Sequence, residues 1–104
     1  MAIVDITVIP IGSEGPSVSQ YVAEIQNILK DYEEKGLIKY KLTPMSTIIE
    51  GDLDNLFKVI KAIHESPFQK GMSRVATNIR IDDRRDKKST MESKIKSVEK
   101  HLNT

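Results

Sequence analysis

Six polar residues stand in stretches that are otherwise apolar: Asp5 and Thr7 near the N-terminus, Thr47 and Glu50 in the middle, Thr77 and Arg80 in the last third. Carboxylates and hydroxyls in a half-buried setting suit a cationic or amine-bearing small ligand. The same residues also suit a structural arrangement, in which Arg80 pairs with Asp5 or Glu50 and fixes an interface between subunits. On the residues alone both readings stand. The absent residues narrow the chemistry further. With no cysteine in the chain, disulfides, thiolate nucleophiles and cysteine-based zinc or iron–sulfur sites are excluded. His64 and His101 are the only imidazoles. His64 reads as a helix C-terminal cap, where a cation meets the negative end of the dipole, and His101 reads as solvated. No activated nucleophile or acid–base pair can be named, so neither an enzyme nor a metal site is expected.

Those six residues need strands to hold them, and the composition supplies the material. Fourteen Ile and seven Val, against six Leu, favour a sheet. A length of 104 residues fits one domain, spanning 1–104. Sixteen basic against fifteen acidic residues leave a net charge of +1, too little for a strongly electrostatic nucleic-acid binder. No apolar run approaches the roughly 20 residues of a membrane span, and the N-terminus lacks a basic leader. A cytoplasmic protein without membrane contact is expected.

Residues 2–11 alternate, with Val4, Ile6, Val8 and Pro10 on one face and Ile3, Asp5, Thr7, Ile9 and Ile11 on the other. Gly12 to Pro16 breaks this strand. Ser17, with Gln20 three residues on, reads as a capping box, and Val18, Val22, Ile25, Leu29 and Tyr32 form a helical stripe that Gly36 ends. Two strands follow, over 37–43 and 47–50, joined by Pro44-Met45-Ser46. Asp52 then caps a second helix striped by Leu53, Leu56, Phe57, Ile60 and Ile63 and stopped at Ser66-Pro67. A last strand covers 74–82. After the charged run 82–88, Ser89 and Glu92 cap a helix over about 89–102 with the seam Met91, Ile95, Val98 and Leu102.

The order β-α-β-β-α-β plus a C-terminal helix predicts an α+β, ferredoxin-like sandwich: a four-stranded antiparallel sheet with two helices on one face. In that topology the first strand lies between the third and fourth, so the six polar residues are expected to converge. The uncovered face and the last helix both present apolar residues, which predicts self-association, from homodimer to homotetramer. Several functions hosted by this fold lose their key residues here. Metal carriers need a cysteine pair in the first loop. RNA binders need aromatics on the sheet, which offers only Tyr40. Acyl-phosphate hydrolases need a basic first loop, and this one carries only Glu14.

The stretches VIPIG (8–12), SVSQYV (17–22), LTPMSTIIEGDLD (42–54), IHE (63–65) and RVATNIRIDDRRDK (74–87) together resemble the YkoF-like thiamine-binding family of small ferredoxin-like proteins. The resemblance covers nearly the whole chain, with TIIEG and IRIDDRRDK its most specific parts. It implies a cytoplasmic dimer of dimers assembled through sheet and helix contacts. It also implies non-catalytic binding of thiamine or its hydroxymethylpyrimidine moiety, as carrier or sensor, without other cofactor. Carried over position by position, it implies a ligand site at Asp5, Ser17, Ser19, Thr47, Glu50, Thr77 and Arg80. The alternative is a structural or regulatory homo-oligomer whose polar sheet residues define the interface and bind no metabolite.

Overall fold

Alternation at the N-terminus builds β1 (Ala2–Pro10), the strand around which the rest is assembled. In the computed structural model, which describes residues 1–12 and 18–102, it is followed by α1 (Val18–Glu34), β2 (Ile38–Leu42), β3 (Thr47–Gly51), α2 (Leu53–Gln69), β4 (Val75–Asp83) and α3 (Met91–Leu102). The sheet order is β2-β3-β1-β4 and every pairing is antiparallel. This is the expected sandwich, with β1 between β3 and β4. The cap expected at Ser17, and the residue itself as a site residue, lie outside the described residues.

One face of the sheet makes the core. Val4 and Ile6 of β1 and Ile49 of β3 are buried beneath Ile25 and Leu29 of α1 and Leu56, Val59 and Ile63 of α2. Burying each such side chain is worth about 1.5–3 kcal/mol, which holds both helices on the same side. α1 ends as the sequence predicts: Gly36 takes φ +75°, and the Leu37 N–H reaches back to the Tyr32 carbonyl. Gly51 serves a different purpose. A Cβ there would lie 3.0 Å from the Leu37 carbonyl oxygen, so its hydrogen lets the chain entering β2 close onto β3.

Four local expectations are corrected. α2 does not stop at Ser66-Pro67; it carries the buried Pro67 inside its last turn and is capped at Lys70. Pro67 gives up one N–H there, but its carbonyl accepts from Lys70 and Met72, and its ring is fully buried. Phe57 is exposed and Val59 takes the buried place expected of it. Asp52 has the extended backbone of an N-cap but makes no side-chain cap bond; only its carbonyl takes the first helical N–H, from Leu56. The cap of α3 is Thr90, one residue later than expected, whose Oγ1 accepts from the Ser93 N–H (3.0 Å) while Ser93 Oγ accepts from the Thr90 N–H (2.8 Å). Serine at N3 replaces the usual Glu of a capping box.

α3 stands away from the sandwich and stretches the molecule to 51 × 29 × 22 Å. No residue of α3 is buried, and its seam residues Ile95, Val98 and Leu102 are all exposed. The charged run before it is neutralised locally. Arg84 binds Asp86 and Arg85 binds Asp83, and these hydrogen bonds hold both carboxyls below their usual range and both guanidinium groups above theirs.

Candidate functional site

The six polar strand residues divide between the two sides of the sheet. Side chains three apart on one strand face opposite ways, so Thr47 and Glu50 separate, as do Thr77 and Arg80. Register confirms the division. Glu50 lies across from Ile3, Arg80 across from Asp5 and Asn78 across from Thr7 on the uncovered face, while Thr47 lies across from Ile6 and Thr77 across from Val8 on the helix face. The expected convergence of all six is therefore corrected.

On the uncovered face the polar groups are engaged with one another. Arg80 donates to Asp5 at 2.9 Å, one of the two structural pairings the sequence allowed. Glu50 takes a different partner, accepting from the Met91 N–H at 2.8 Å. Only 5% of Glu50 is exposed, and its carboxylate meets the positive end of the α3 dipole. Lys94 in the second turn of α3 reaches Asp82 at 2.9 Å. These two contacts tie the base of α3 to the sheet.

On the helix face, Thr77 is hydrogen-bonded to Nδ1 of His64 at 2.6 Å, and the imidazole also packs edge-on against Phe68 at 5.6 Å. His64 therefore joins α2 to β4, and the cap role expected of it is corrected, because α2 continues for another turn. Ser19 lies exposed in the first turn of α1.

Thr47 has a different setting. A cavity of about 150 Å3 opens between the first turns of α1, the end of β1 and the β2–β3 turn. Its walls are Ile6, Val8, Val22, Ile25 and Ile63, with exposed Leu42 and Met45 beside them. Gln26 Nε2 donates to the buried Thr47 Oγ1 at 3.1 Å within it, which leaves the Gln26 Oε1 and one amide N–H for a further partner. The turn that closes one side is fixed by Thr43, whose Oγ1 accepts from the Ser46 N–H (3.1 Å) and donates to the Ser46 carbonyl (2.7 Å). No charged residue is among the described residues that line it. An apolar cavity of about 150 Å3 holds benzene, so this one admits a single six-membered ring. Gln26 and the Thr43–Ser46 turn were not singled out from the sequence. The available signal was an amide at position 26, flanking the apolar stripe of α1 one residue after Ile25 and four after Val22.

Among the described residues no group of three or more acidic, histidine or cysteine side chains is placed to hold a metal ion, and no helix is long and apolar enough to cross a membrane.

The chain is 71% identical over 102 residues to the UPF0045 protein YqgV of Bacillus subtilis, covering 98% of each. It is 39% identical over 103 residues to a UPF0045 protein of Methanothermobacter thermautotrophicus, covering 98% of this chain and all of that one. The crystal structure of protein MJ1052 of Methanocaldococcus jannaschii superposes with a TM-score of 0.80 at 35% identity, over 94% of this chain and 95% of that one. A Thermotoga maritima protein described as a candidate thiamine biosynthesis/salvage protein shares the fold, with a TM-score of 0.75 at 18% identity over 93% of this chain and 97% of that one. The sequence profile of the family described as thiamine-binding protein matches residues 4–99, and the chain belongs to that family.

Proposed function

We propose that this protein is a non-catalytic binder of thiamine or its hydroxymethylpyrimidine moiety, with the pyrimidine ring seated in the cavity beside Gln26 and Thr47. One observation carries this reading: the cavity has room for one six-membered ring, apolar walls and an amide–hydroxyl pair with hydrogen-bonding capacity left over. An aminopyrimidine offers an amine donor next to a ring-nitrogen acceptor. A carboxamide can meet both at once, as Asn and Gln do on the amine and ring nitrogen of adenine. The thiazolium of thiamine then remains outside, at the rim near Met45. Of the residues the resemblance implied, Thr47 belongs to this pocket. Asp5, Glu50 and Arg80 serve the opposite face, where they position α3 and brace the sheet. The family assignment supports the ligand class. On this reading the protein carries or senses its ligand and transforms nothing.

Self-association goes with this reading. Ile3, Ile9 and Ile48 on the uncovered face and the exposed seam of α3 supply surfaces through which copies associate.

Isothermal titration tests the binding proposal. Hydroxymethylpyrimidine and thiamine should both release heat, with most of the affinity already present in the pyrimidine. Gln26→Leu should weaken both by about tenfold, which corresponds to about 1.4 kcal/mol and is a usual net value for a hydrogen bond. Absence of heat and of any thermal shift at millimolar ligand would overturn it.

A further inference from the structure

A second cavity, of about 490 Å3, lies where β1 begins and β4 ends. Arg84, Arg85, Lys87 and Lys88 line it, together with Asp83 and with Leu53 of the first turn of α2. Its basic wall is a strap, residues 84–90, held at both ends. Asp83 is paired with Ala2 in the sheet, and the Met91 N–H is taken by the buried Glu50. Inside the strap Arg84 binds Asp86 through Nε (2.6 Å) and Nη2 (2.9 Å), and Arg85 binds Asp83 through the same two nitrogens (3.2 and 2.8 Å). A guanidinium carries more N–H donors than two such bonds use, so each arginine is fixed in place and still has donors to offer. Neither Lys87 nor Lys88 is paired with a carboxylate among the described residues. Of the four cations around the cavity, two are thus neutralised and two are not, although the whole chain carries only +1.

We propose that this cavity binds a phosphoryl group, as free phosphate or as a small phosphate monoester. Charge and donor geometry select that class. A phosphate monoester carries a charge of about −2 near neutral pH and three terminal oxygens. The charge matches the two uncompensated lysines, and the oxygens match the spare guanidinium donors, whose planar fork suits phosphate. A carboxylate would satisfy only half of that charge. Holding the strap at both ends and bracing its arginines reduces the ordering that binding must otherwise supply. Asp52 makes no side-chain cap bond to the first turn of α2, which begins at Leu53 on the cavity wall, and Asp54 of that turn does not line the cavity. This site is separate from the ring cavity. Ala2 and Val8, which border the two, are six residues apart on β1, about 20 Å at the rise of a strand. One small ligand does not reach both, so the inference stands or falls independently of the thiamine reading.

Nuclear magnetic resonance on the whole 15N-labelled chain tests it, with inorganic phosphate and butyl phosphate as probes. Both should produce saturable shifts at millimolar concentration in the amides of residues 84–88 and Leu53, and leave Gln26 and Thr47 unmoved. Tighter binding of butyl phosphate supports a phosphorylated small molecule as occupant, and equal affinity supports free phosphate. Lys87→Gln combined with Lys88→Gln should weaken both by about tenfold, because each exposed charge contact contributes a few-fold. Lys61→Gln, on the exposed side of α2, should change neither. These lysines are exposed, so circular dichroism should stay at the wild-type spectrum. Absence of saturable shifts, equal shifts with sodium chloride at matched ionic strength, or undiminished binding in the double variant overturns the proposal.

Discussion

The two outer strands of the sheet, β2 and β4, are built in opposite ways. β2 has five residues, two of them lysines at 39 and 41, and the Glu33 carboxylate of α1 accepts from the Tyr40 N–H at 3.3 Å. Short length, lysines and an occupied backbone donor are the devices by which a sheet edge avoids further pairing. β4 has nine residues and places isoleucines at 79 and 81 beside its outward backbone groups. Its charges do not guard the edge, because Arg80 is drawn inward to Asp5 and Asp82 toward Lys94 of α3. Edge position alone thus does not make a strand adhesive. The local supply of charge and backbone partners decides it, and here only one side of the sheet is closed.

The largest effect expected on the closed side comes from Gly51→Ala. The added Cβ would meet the Leu37 carbonyl oxygen at 3.0 Å and the Ile38 side chain at 3.4 Å. Backbone cannot swing aside as a long side chain does, so the start of β2 must move off β3, at a cost of about 1–3 kcal/mol, typical of overpacking. A Tm lower by about 4–8 °C per kcal/mol is the expected readout, with faster amide exchange confined to β2. Unchanged exchange there would mean that β2 is not held by this close approach.

A smaller effect is expected from Glu33→Ala, which frees the Tyr40 N–H. The carboxylate is exposed and the bond long, so about 0.5 kcal/mol is expected, at the low end for a hydrogen bond. The sharper readout is association: light scattering on heating should rise for this variant and not for Asp31→Ala, a nearby acidic residue for which no contact to β2 is seen. An equal rise in both would attribute the guard to net charge and not to the occupied donor.

Much of this contrast was legible in the residue order. Period-2 alternation gave β1 and β4, a 3-4 rhythm gave α1 and α2, and Gly36 marked a helix end by the left-handed conformation it takes. The misses share a physical cause, because they depend on which group arrives from a distant segment. Local rules make Pro67 a stop, yet a helix tolerates proline in its last turn when the ring is buried and its carbonyl is used. Local sequence makes His64 a cap because nothing near it in the chain shows that Thr77 comes within 2.6 Å. For the site, Thr47 was legible as a buried hydroxyl but its partner Gln26, 21 residues earlier, was not. The division of the polar residues between faces was available from parity alone, since an odd separation on a strand always changes sides.

The smallest effect concerns the open side, at the point where β4 ends. Asp83 accepts from Arg85 at 2.8 Å, and that hydrogen bond is the main reason its carboxyl lies below the ordinary 3.8. A carboxyl with a lowered folded-state pKa contributes stability that is fully present above the unfolded value and disappears as pH falls through the folded one. The Asp83–Arg85 contact should therefore be constant from pH 7 down to about 5 and fade only below 3.8. Because the Arg85 side chain is largely exposed and Asp83 only partly covered, competing water and salt leave the contact little net weight. Asp83→Asn should accordingly lower Tm only marginally at pH 7, and even that small gap to wild type should close at pH 3. Its value lies in the comparison of edges. Because the charges of β4 are engaged elsewhere, light scattering on heating should stay at the wild-type level in Asp83→Asn, in contrast to Glu33→Ala beside β2. A rise in Asp83→Asn would show that charge at the strand end protects the open side as well.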